Sequence, residues 1–230
     1  WQGAPVGGFG AGTLSRTYRG DFARWHIKSG VHKYETVFAN QFAMYQRSEG
    51  AQPTAQVLSS VHPEGSGLKS WQWDYPVGAG DYYALYPKAW FDYRWEKFPA
   101  HVMLEQFSPI LPNNYKESSY PVAVYRWHAD NPTQHKVTVS VLFSWTNMVG
   151  WFRGTQRNLS GHLDHGNLNR FQTQVAGGAT VKGIVYDRLR KMPNEPNPFV
   201  LGVPAVERSL TAMNECAQAQ RDRFRLMGLK

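Results

Sequence analysis

Apolar and polar side chains alternate with a period of two along much of this chain. The clearest run is Lys136 to Thr146, which places Val137, Val139, Val141, Phe143 and Trp145 on one face and Thr138, Ser140 and Ser144 opposite. Alternating β-branched and aromatic residues are typical of a strand with one buried face. The pattern therefore predicts a strand here whose apolar face lies against a core.

Four further runs have the same character: Pro121 to His128, Tyr86 to Trp95, His101 to Phe107 and Asn40 to Arg47. Because Asp130-Asn131-Pro132 is a turn signal, we predict that the first of these pairs with Lys136 to Thr146 as an antiparallel hairpin. A second pair is expected around Phe98-Pro99. Short strands with turns at this density predict an all-β protein, either a sandwich or a barrel.

Residues 1–230 are interpreted as a single globular domain. The 230 residues are 42% hydrophobic and 14% aromatic, which suffices for one sizeable core or two small ones. The final stretch, 205–230, is the exception, because its residues favour a helix. The chain opens at Trp1 rather than at Met, so we expect it to be a piece of a larger protein.

Charge and cysteine content narrow the possible classes of protein. The net charge of +8 comes mainly from residues 116–230, which carry 15 basic and 8 acidic side chains against 10 and 9 in residues 1–115. These charges are dispersed, so we expect no nucleic-acid partner. Cys216 is the single cysteine, which excludes an internal disulfide and favours the cytoplasm. No apolar run is long enough for a transmembrane segment.

The opening segment, Gly3 to Thr13, superficially resembles a nucleotide-binding loop. Counting from Gly8, however, Thr13 stands where the dinucleotide fingerprint requires its third glycine, and no lysine precedes Lys28. The segment therefore predicts a tight backbone turn with positive φ angles, packed against neighbouring backbone.

Other chemistry-bearing residues give weaker signals. His162 and His165 have a spacing that suits a metal on a helical turn, but flanking glycines favour a polar loop, and we expect neither a metal nor a cofactor. Acids such as Asp21, Glu105 and Glu117 show no spacing that marks a catalytic pair. Asp21 could form a salt-bridged turn, and Glu105 could face solvent from a strand.

A concentration of aromatic residues in one region suggests a possible role in sugar binding. The residues are Trp71, Trp73, Tyr75, Tyr82, Tyr83 and Tyr86. Flat rings can stack on sugars, although aromatic side chains more often supply core and interface area. A carbohydrate-binding module and a purely structural role both remain open on this evidence.

Several motifs, in order, resemble the N-terminal domain of glycoside hydrolase family 116, whose members include β-glucosidases and the non-lysosomal glucosylceramidase. They are Gly3 to Thr13, Tyr18 to His26, Ala39 to Phe42, Tyr86 to Trp90, Glu105 to Val124 and Phe143 to Met148, with Leu201 to Pro204 further on. The resemblance spans residues 1 to about 150 and thins beyond them.

The resemblance implies a two-sheet antiparallel β-sandwich packed against a C-terminal (α/α)6 catalytic domain in the same polypeptide. It also implies retaining hydrolysis of a β-glucoside substrate, with both catalytic carboxylates supplied by that barrel. No catalytic residue is therefore assigned here, and we expect the isolated chain to be inactive.

Two motif segments are expected to be loops that shape the mouth of the active site or contact the barrel. They are Arg24-Trp25 and Tyr115-Lys116-Glu117. The alternative functions are a free-standing carbohydrate-binding β-sandwich module without catalysis, and an enzyme complete within 230 residues. Titration with glucosides and larger glucans would distinguish a carbohydrate-binding module from a domain that only packs against the barrel. Turnover would identify a complete enzyme.

Overall fold

A computed structural model describes residues 3–28, 30–64, 68–149, 166 and 168–187. These residues form thirteen strands and one short helix. In chain order the elements are β1 Pro5–Gly8, β2 Gly12–Arg16, β3 Phe22–Lys28, β4 Val31–Tyr34, β5 Gln41–Ser48, β6 Thr54–Val57, β7 Gly80–Leu85, β8 Lys88–Tyr93, β9 His101–Phe107, α1 Tyr115–Ser118, β10 Val124–Asp130, β11 Val137–Ser144, β12 Leu168–Ala176 and β13 Ala179–Asp187. The features predicted at His162, His165, Cys216 and 205–230 lie outside the described residues.

The strands form four sheets in which every pairing is antiparallel. Sheet I contains β1 to β4 in sequence order, and sheet II contains β7 to β10 in sequence order. Sheet III has the order β11-β5-β6, and β12 pairs with β13 as a separate hairpin. Strands that are consecutive in the chain therefore pair throughout sheets I and II, whereas sheet III depends on a long-range pairing between β5 and β11.

Side chains from sheets I, II and III meet in one core. Phe22 and Trp25 come from sheet I, Phe42 from sheet III, and Phe91 and Leu104 from sheet II; all are at most 4% exposed. The rings of Phe22 and Phe42 lie 5.7 Å apart and join sheets I and III, and Phe42 lies 5.2 Å from Trp127 of sheet II. The result is the predicted all-β sandwich.

Most of the predicted strands are confirmed. The run Asn40 to Arg47 corresponds to β5, and Lys136 to Thr146 contains β11. The expected pair around Phe98-Pro99 is β8 with β9, which align from Lys88 opposite Phe107 to Tyr93 opposite Val102. Alternation was informative for β5, in which Phe42, Met44 and Gln46 are buried and the residues between them are less covered.

The hairpin predicted between Pro121 to His128 and Lys136 to Thr146 is wrong. The first run forms β10, which pairs with β9, and the second forms β11, which pairs with β5. Trp127 of β10 and Val139 of β11 contact the same core from different sheets. The Asn131–Lys136 connection therefore carries the chain from sheet II to sheet III instead of reversing it within a sheet.

The apolar face predicted for β11 is covered only in part. Phe143 stacks on Phe42 with ring centroids 4.5 Å apart, yet it remains 45% exposed, and Val141 is 37% exposed. The position of β11 explains this exposure, because β11 is an edge strand and lies at the margin of the sandwich.

Among the residues that the structure describes, no helix has the length and apolar character that a membrane span requires.

Candidate functional site

Two of the motif segments meet at one end of the sandwich. The Phe9 amide donates a hydrogen bond to the Ser118 carbonyl at 2.8 Å, and the Gly7 amide donates to Ser108 Oγ at 2.5 Å. These contacts seat the β1–β2 turn directly on the loop that carries α1. We call Phe9–Ala11 together with Tyr115–Glu117 the motif surface.

Glycines make this contact possible, as the sequence predicted. A Cβ on Gly8 would lie 2.4 Å from the Ser119 carbonyl oxygen, and one on Gly7 would lie 2.2 Å from the Gly12 carbonyl oxygen. Gly7 also has a φ of 138°, which side-chain-bearing residues rarely adopt. The glycine-rich segment is thus a close-packed hairpin, and its structural interpretation is confirmed.

The α1 turn is fixed by its own polar side chains. Asn114 caps it by accepting a hydrogen bond from the Glu117 amide at 3.3 Å. The buried Ser118 hydroxyl donates to the Leu111 carbonyl at 3.2 Å and accepts from the Leu111 amide at 2.9 Å. Because both ends are tied down, the exposed side chains of Tyr115 and Lys116 project from an ordered backbone.

Two aromatic rings of the motif surface are exposed. Tyr115 is 80% exposed and Phe9 is 53% exposed. Lys116 is exposed, and Glu117 is half-buried beside it. Two aromatic side chains held on rigid neighbouring backbone can offer contact area to a partner at a small further cost in conformational entropy.

Arg24 and Trp25 were predicted to lie in a loop, but the structure places them within β3. Trp25 is fully buried, and its Nε1 donates to the Glu35 carbonyl at 2.8 Å. Its ring packs against Trp145 at a centroid distance of 5.7 Å. In this arrangement Trp25 is a core residue that presents no surface to a ligand.

Arg24 points to the other face of β3 and is half-buried there. Its guanidinium lies 5.7 Å from the Tyr34 ring centroid. His26 lies two residues further along the same face, and burial lowers its pKa, with smaller contributions from the neighbouring charges of His32 and Arg24. Arg24 thus belongs to a basic and aromatic face of sheet I.

The structure does not bring Arg24 to the α1 turn. Arg24 pairs with Ser15, whereas the motif surface lies at the other end of β2, where Gly12 pairs with Gly8. Three residues of strand separate these positions, which corresponds to about 10 Å. Of the predicted site residues, Tyr115, Lys116 and Glu117 therefore form one group, and Arg24 and Trp25 lie apart from it.

The last residue of β2, Arg16, has a structural role that sequence reasoning missed. Arg16 is fully buried, and it donates to the Gly20 carbonyl at 2.8 Å, to Tyr93 Oη at 2.9 Å and to the Leu58 carbonyl at 2.7 Å. Arg16 thereby joins sheet I to sheet II. The sequence feature that could have revealed this role is an arginine within a strand, next to the Tyr18 to His26 motif.

Asp21 and Glu105, two acids considered from the sequence, are both buried, and other side chains bind their carboxylates. Asp21 accepts hydrogen bonds from the hydroxyl groups of Thr17 and Thr36, the latter at 2.6 Å. Glu105 does not face solvent: it is 6% exposed and binds Lys88 at 2.7 Å and Arg126 at 3.0 Å. These contacts give both carboxylates structural roles.

Asp92, on the same outer face of sheet II, is bound by Arg94 and His101. Burial alone would raise the pKa of Asp92, but hydrogen bonds and the charges of these two partners outweigh it and lower the pKa. Among the described residues, no group of three or more His, Cys, Asp or Glu side chains could hold a metal ion.

The fold is that of an all-β sandwich domain in which two loops are held together at one end. A protein-family model described as beta-glucosidase 2, glycosyl-hydrolase family 116 N-term, matches residues 3–226. The chain therefore belongs to the glycoside hydrolase family 116 N-terminal domain family. This confirms the resemblance seen in the motifs, and membership implies a further catalytic domain in the parent protein.

Proposed function

We propose that this chain is the N-terminal sandwich of a retaining β-glucosidase or glucosylceramidase-like enzyme. It packs against an (α/α)6 catalytic barrel in the same polypeptide, with the motif surface at the boundary between them, beside the active-site mouth. Retaining hydrolysis needs two carboxylates about 5 to 5.5 Å apart. The barrel supplies both of them, so the sandwich contributes position and shape rather than chemistry.

The observation that carries the proposal is the exposure of aromatic rings on fixed backbone at the motif surface. Tyr115 is 80% exposed and Phe9 is 53% exposed, although hydrogen bonds order the backbone beneath them. Aromatic side chains are enriched at the centres of protein interfaces, where they contribute most of the binding energy. Contact with a second domain accounts for this exposure.

Two roles are compatible with this position. If the surface only packs on the barrel, its aromatic rings stabilise the two-domain arrangement. If it also borders the active-site mouth, Lys116 and Glu117 provide a cation and a carboxylate that can bind the aglycone. The first role changes stability and the second changes KM, so kinetics and thermal unfolding distinguish them.

The test is Tyr115→Ala in the full-length parent enzyme, compared with Tyr83→Ala. Tyr83 lies on β7 and is 51% exposed, which makes it a matched exposed tyrosine. Loss of an interface hot spot of about 2 kcal/mol is expected to lower Tm by about 2 to 4 °C. An accompanying rise in KM identifies the mouth role; if Tyr115→Ala and Tyr83→Ala behave alike in both assays, the proposed surface is wrong.

A second candidate function is a free-standing carbohydrate-binding module without catalysis. It is favoured by one observation, a cavity lined by aromatic rings at the far end of β2. Binding of glucosides by the purified chain would support it.

A further inference from the structure

A cavity of about 330 Å³ opens between the Tyr18–Gly20 turn and the Tyr75–Gly80 loop. Its inner wall includes Phe91 and Tyr93 of β8. This volume is at the lower end of the range for small-molecule sites, which suits a ligand with one ring rather than a long chain. The cavity lies at the opposite end of β2 from the motif surface.

Five aromatic residues line this cavity: Tyr18, Tyr75, Tyr82, Phe91 and Tyr93. Tyr18 is 53% exposed at its edge, and the rings of Tyr82 and Phe91 lie 4.8 Å apart. The hydroxyl groups of the other three tyrosines are already hydrogen-bonded: Tyr75 donates to the Ala79 carbonyl at 2.8 Å, Tyr82 accepts from the Ala4 amide at 2.9 Å, and Tyr93 accepts from Arg16. Tyr75, Phe91 and Tyr93 are at most 8% exposed and form the floor of the cavity, so Tyr18 supplies the exposed ring.

Polar groups of both signs complete the lining. Arg19 and Asp81 are both exposed residues of the wall, so a hydrogen-bond donor and an acceptor are present together. Asp81 Oδ2 lies 3.6 Å from Arg94 Nη1, which leaves the carboxylate half-exposed. A ligand that both donates and accepts hydrogen bonds fits this pair better than one with a single function.

The electrostatics of the site argue against a charged ligand. The guanidinium of Arg16 lies 4.2 Å from the Phe91 ring centroid, so a permanent positive charge stands next to the cavity and disfavours a cation. An anion would meet the cation of Arg19 but also the carboxylate of Asp81, so the rim does not select an anion either. The cavity is thus suited to a neutral ligand, despite its resemblance to the aromatic cages that bind quaternary ammonium groups.

From these features we propose that the cavity binds one neutral pyranose ring, such as a terminal glucose unit. The aliphatic face of the sugar stacks on Tyr18, and its hydroxyl groups bind Arg19 and Asp81. Of the aromatic residues considered from the sequence, Tyr75 and Tyr82 belong to this site, whereas Trp71 and Trp73 stack on each other and Tyr83 is exposed outside it. This site goes beyond the proposed contact with a barrel and does not depend on it.

The test is titration of the purified chain with methyl β-D-glucoside, followed by calorimetry and by NMR. Millimolar dissociation constants are expected for a ligand of this size. Tyr18→Ala is expected to weaken binding about tenfold, and Tyr18→Phe, which keeps the ring, to retain it. Tyr83→Ala is the matched control, because Tyr83 is equally exposed but lies outside the cavity.

A blocking variant supplies an independent check. Ser60 lines the cavity, so Ser60→Trp fills it without removing any proposed sugar contact, and circular dichroism verifies folding. Loss of binding in Ser60→Trp together with Tyr18→Ala supports the site. Absence of binding at high millimolar sugar, equal binding by Tyr18→Ala and wild type, or tighter binding of glucuronate or choline than of the glucoside would each overturn the proposal.

Discussion

Gly20 provides the sharpest test of how the motif segment holds the sandwich together. Its φ is 92°, and a Cβ at this position would lie 2.2 Å from the Leu58 carbonyl oxygen. That oxygen accepts a hydrogen bond from Arg16 Nη2, and the Gly20 carbonyl accepts one from Arg16 Nε. Gly20→Ala should therefore disturb the backbone on which the buried guanidinium depends.

The expected magnitude has two parts. Left-handed backbone costs a side-chain-bearing residue about 1 to 2 kcal/mol. Displacement of Leu58 then weakens at least one hydrogen bond to a charged group, which is worth about 1.5 to 3 kcal/mol. The free energy of unfolding should fall by about 2.5 to 5 kcal/mol in total, a large fraction of the stability of an ordinary domain.

Gly50→Ala is the matched control for this change. Gly50 has a φ of 76°, and nothing lies within 4 Å of the position that its Cβ would occupy. Gly50→Ala should therefore lower the free energy of unfolding only by the cost of left-handed backbone, about 1 to 2 kcal/mol. Urea unfolding followed by tryptophan fluorescence measures both variants; equal losses would refute the claim that Gly20 is required by close contact with Leu58.

Three further expectations follow from the polar groups and from the family assignment. Because the folded pKa of Asp92 is depressed, its stabilising contribution is complete above the ordinary value of 3.8 and is lost as the pH falls through the lower folded value. Urea midpoints measured from pH 7 to pH 3 should therefore show a shallower acid decline for Asp92→Asn than for wild type. Glu105→Gln should lower the free energy of unfolding by about 1.5 to 3 kcal/mol, because it weakens charged hydrogen bonds to Lys88 and Arg126; urea unfolding at pH 7 checks this. The isolated chain should show no turnover of aryl β-glucosides, and measurable hydrolysis that co-purifies with it would contradict the assignment of catalysis to the barrel.

Local sequence predicted the strands well and their partners less well. The alternation around β5, β9 and β11 reports which face of a strand is buried, and that property is local. The signal at Asp130-Asn131-Pro132 fixes only that the chain turns. Whether it returns in the same sheet or crosses to another sheet depends on β5 and β9, the partners of β11 and β10, and neither partner lies within the turn signal.

The candidate site was also predicted only in part. Gly3 to Thr13 was correctly interpreted as a tight packed hairpin because glycine itself indicates close backbone approach. Arg24 and Trp25 were misplaced in a loop, since a motif rich in charged and aromatic residues does not show which of them enter a core. The burial of Glu105 depends on cations from β8 and β10, and no single strand contains that information.

One strand, β2, connects the motif surface with the cavity, but substitutions at these two places should act independently. β2 runs from Gly12, beside the motif surface, to Arg16, beside the cavity, a span of about 13 Å. Tyr18 and Tyr115 both lie beyond its ends, so they share no side-chain partner through this strand. Effects of substitutions at such separated sites usually add. The double variant Tyr18→Ala/Tyr115→Ala in the parent enzyme should therefore combine the Tm loss of one change with the weakened sugar binding of the other. A coupling energy well above about 0.5 kcal/mol would mean that β2 transmits a change between the two ends.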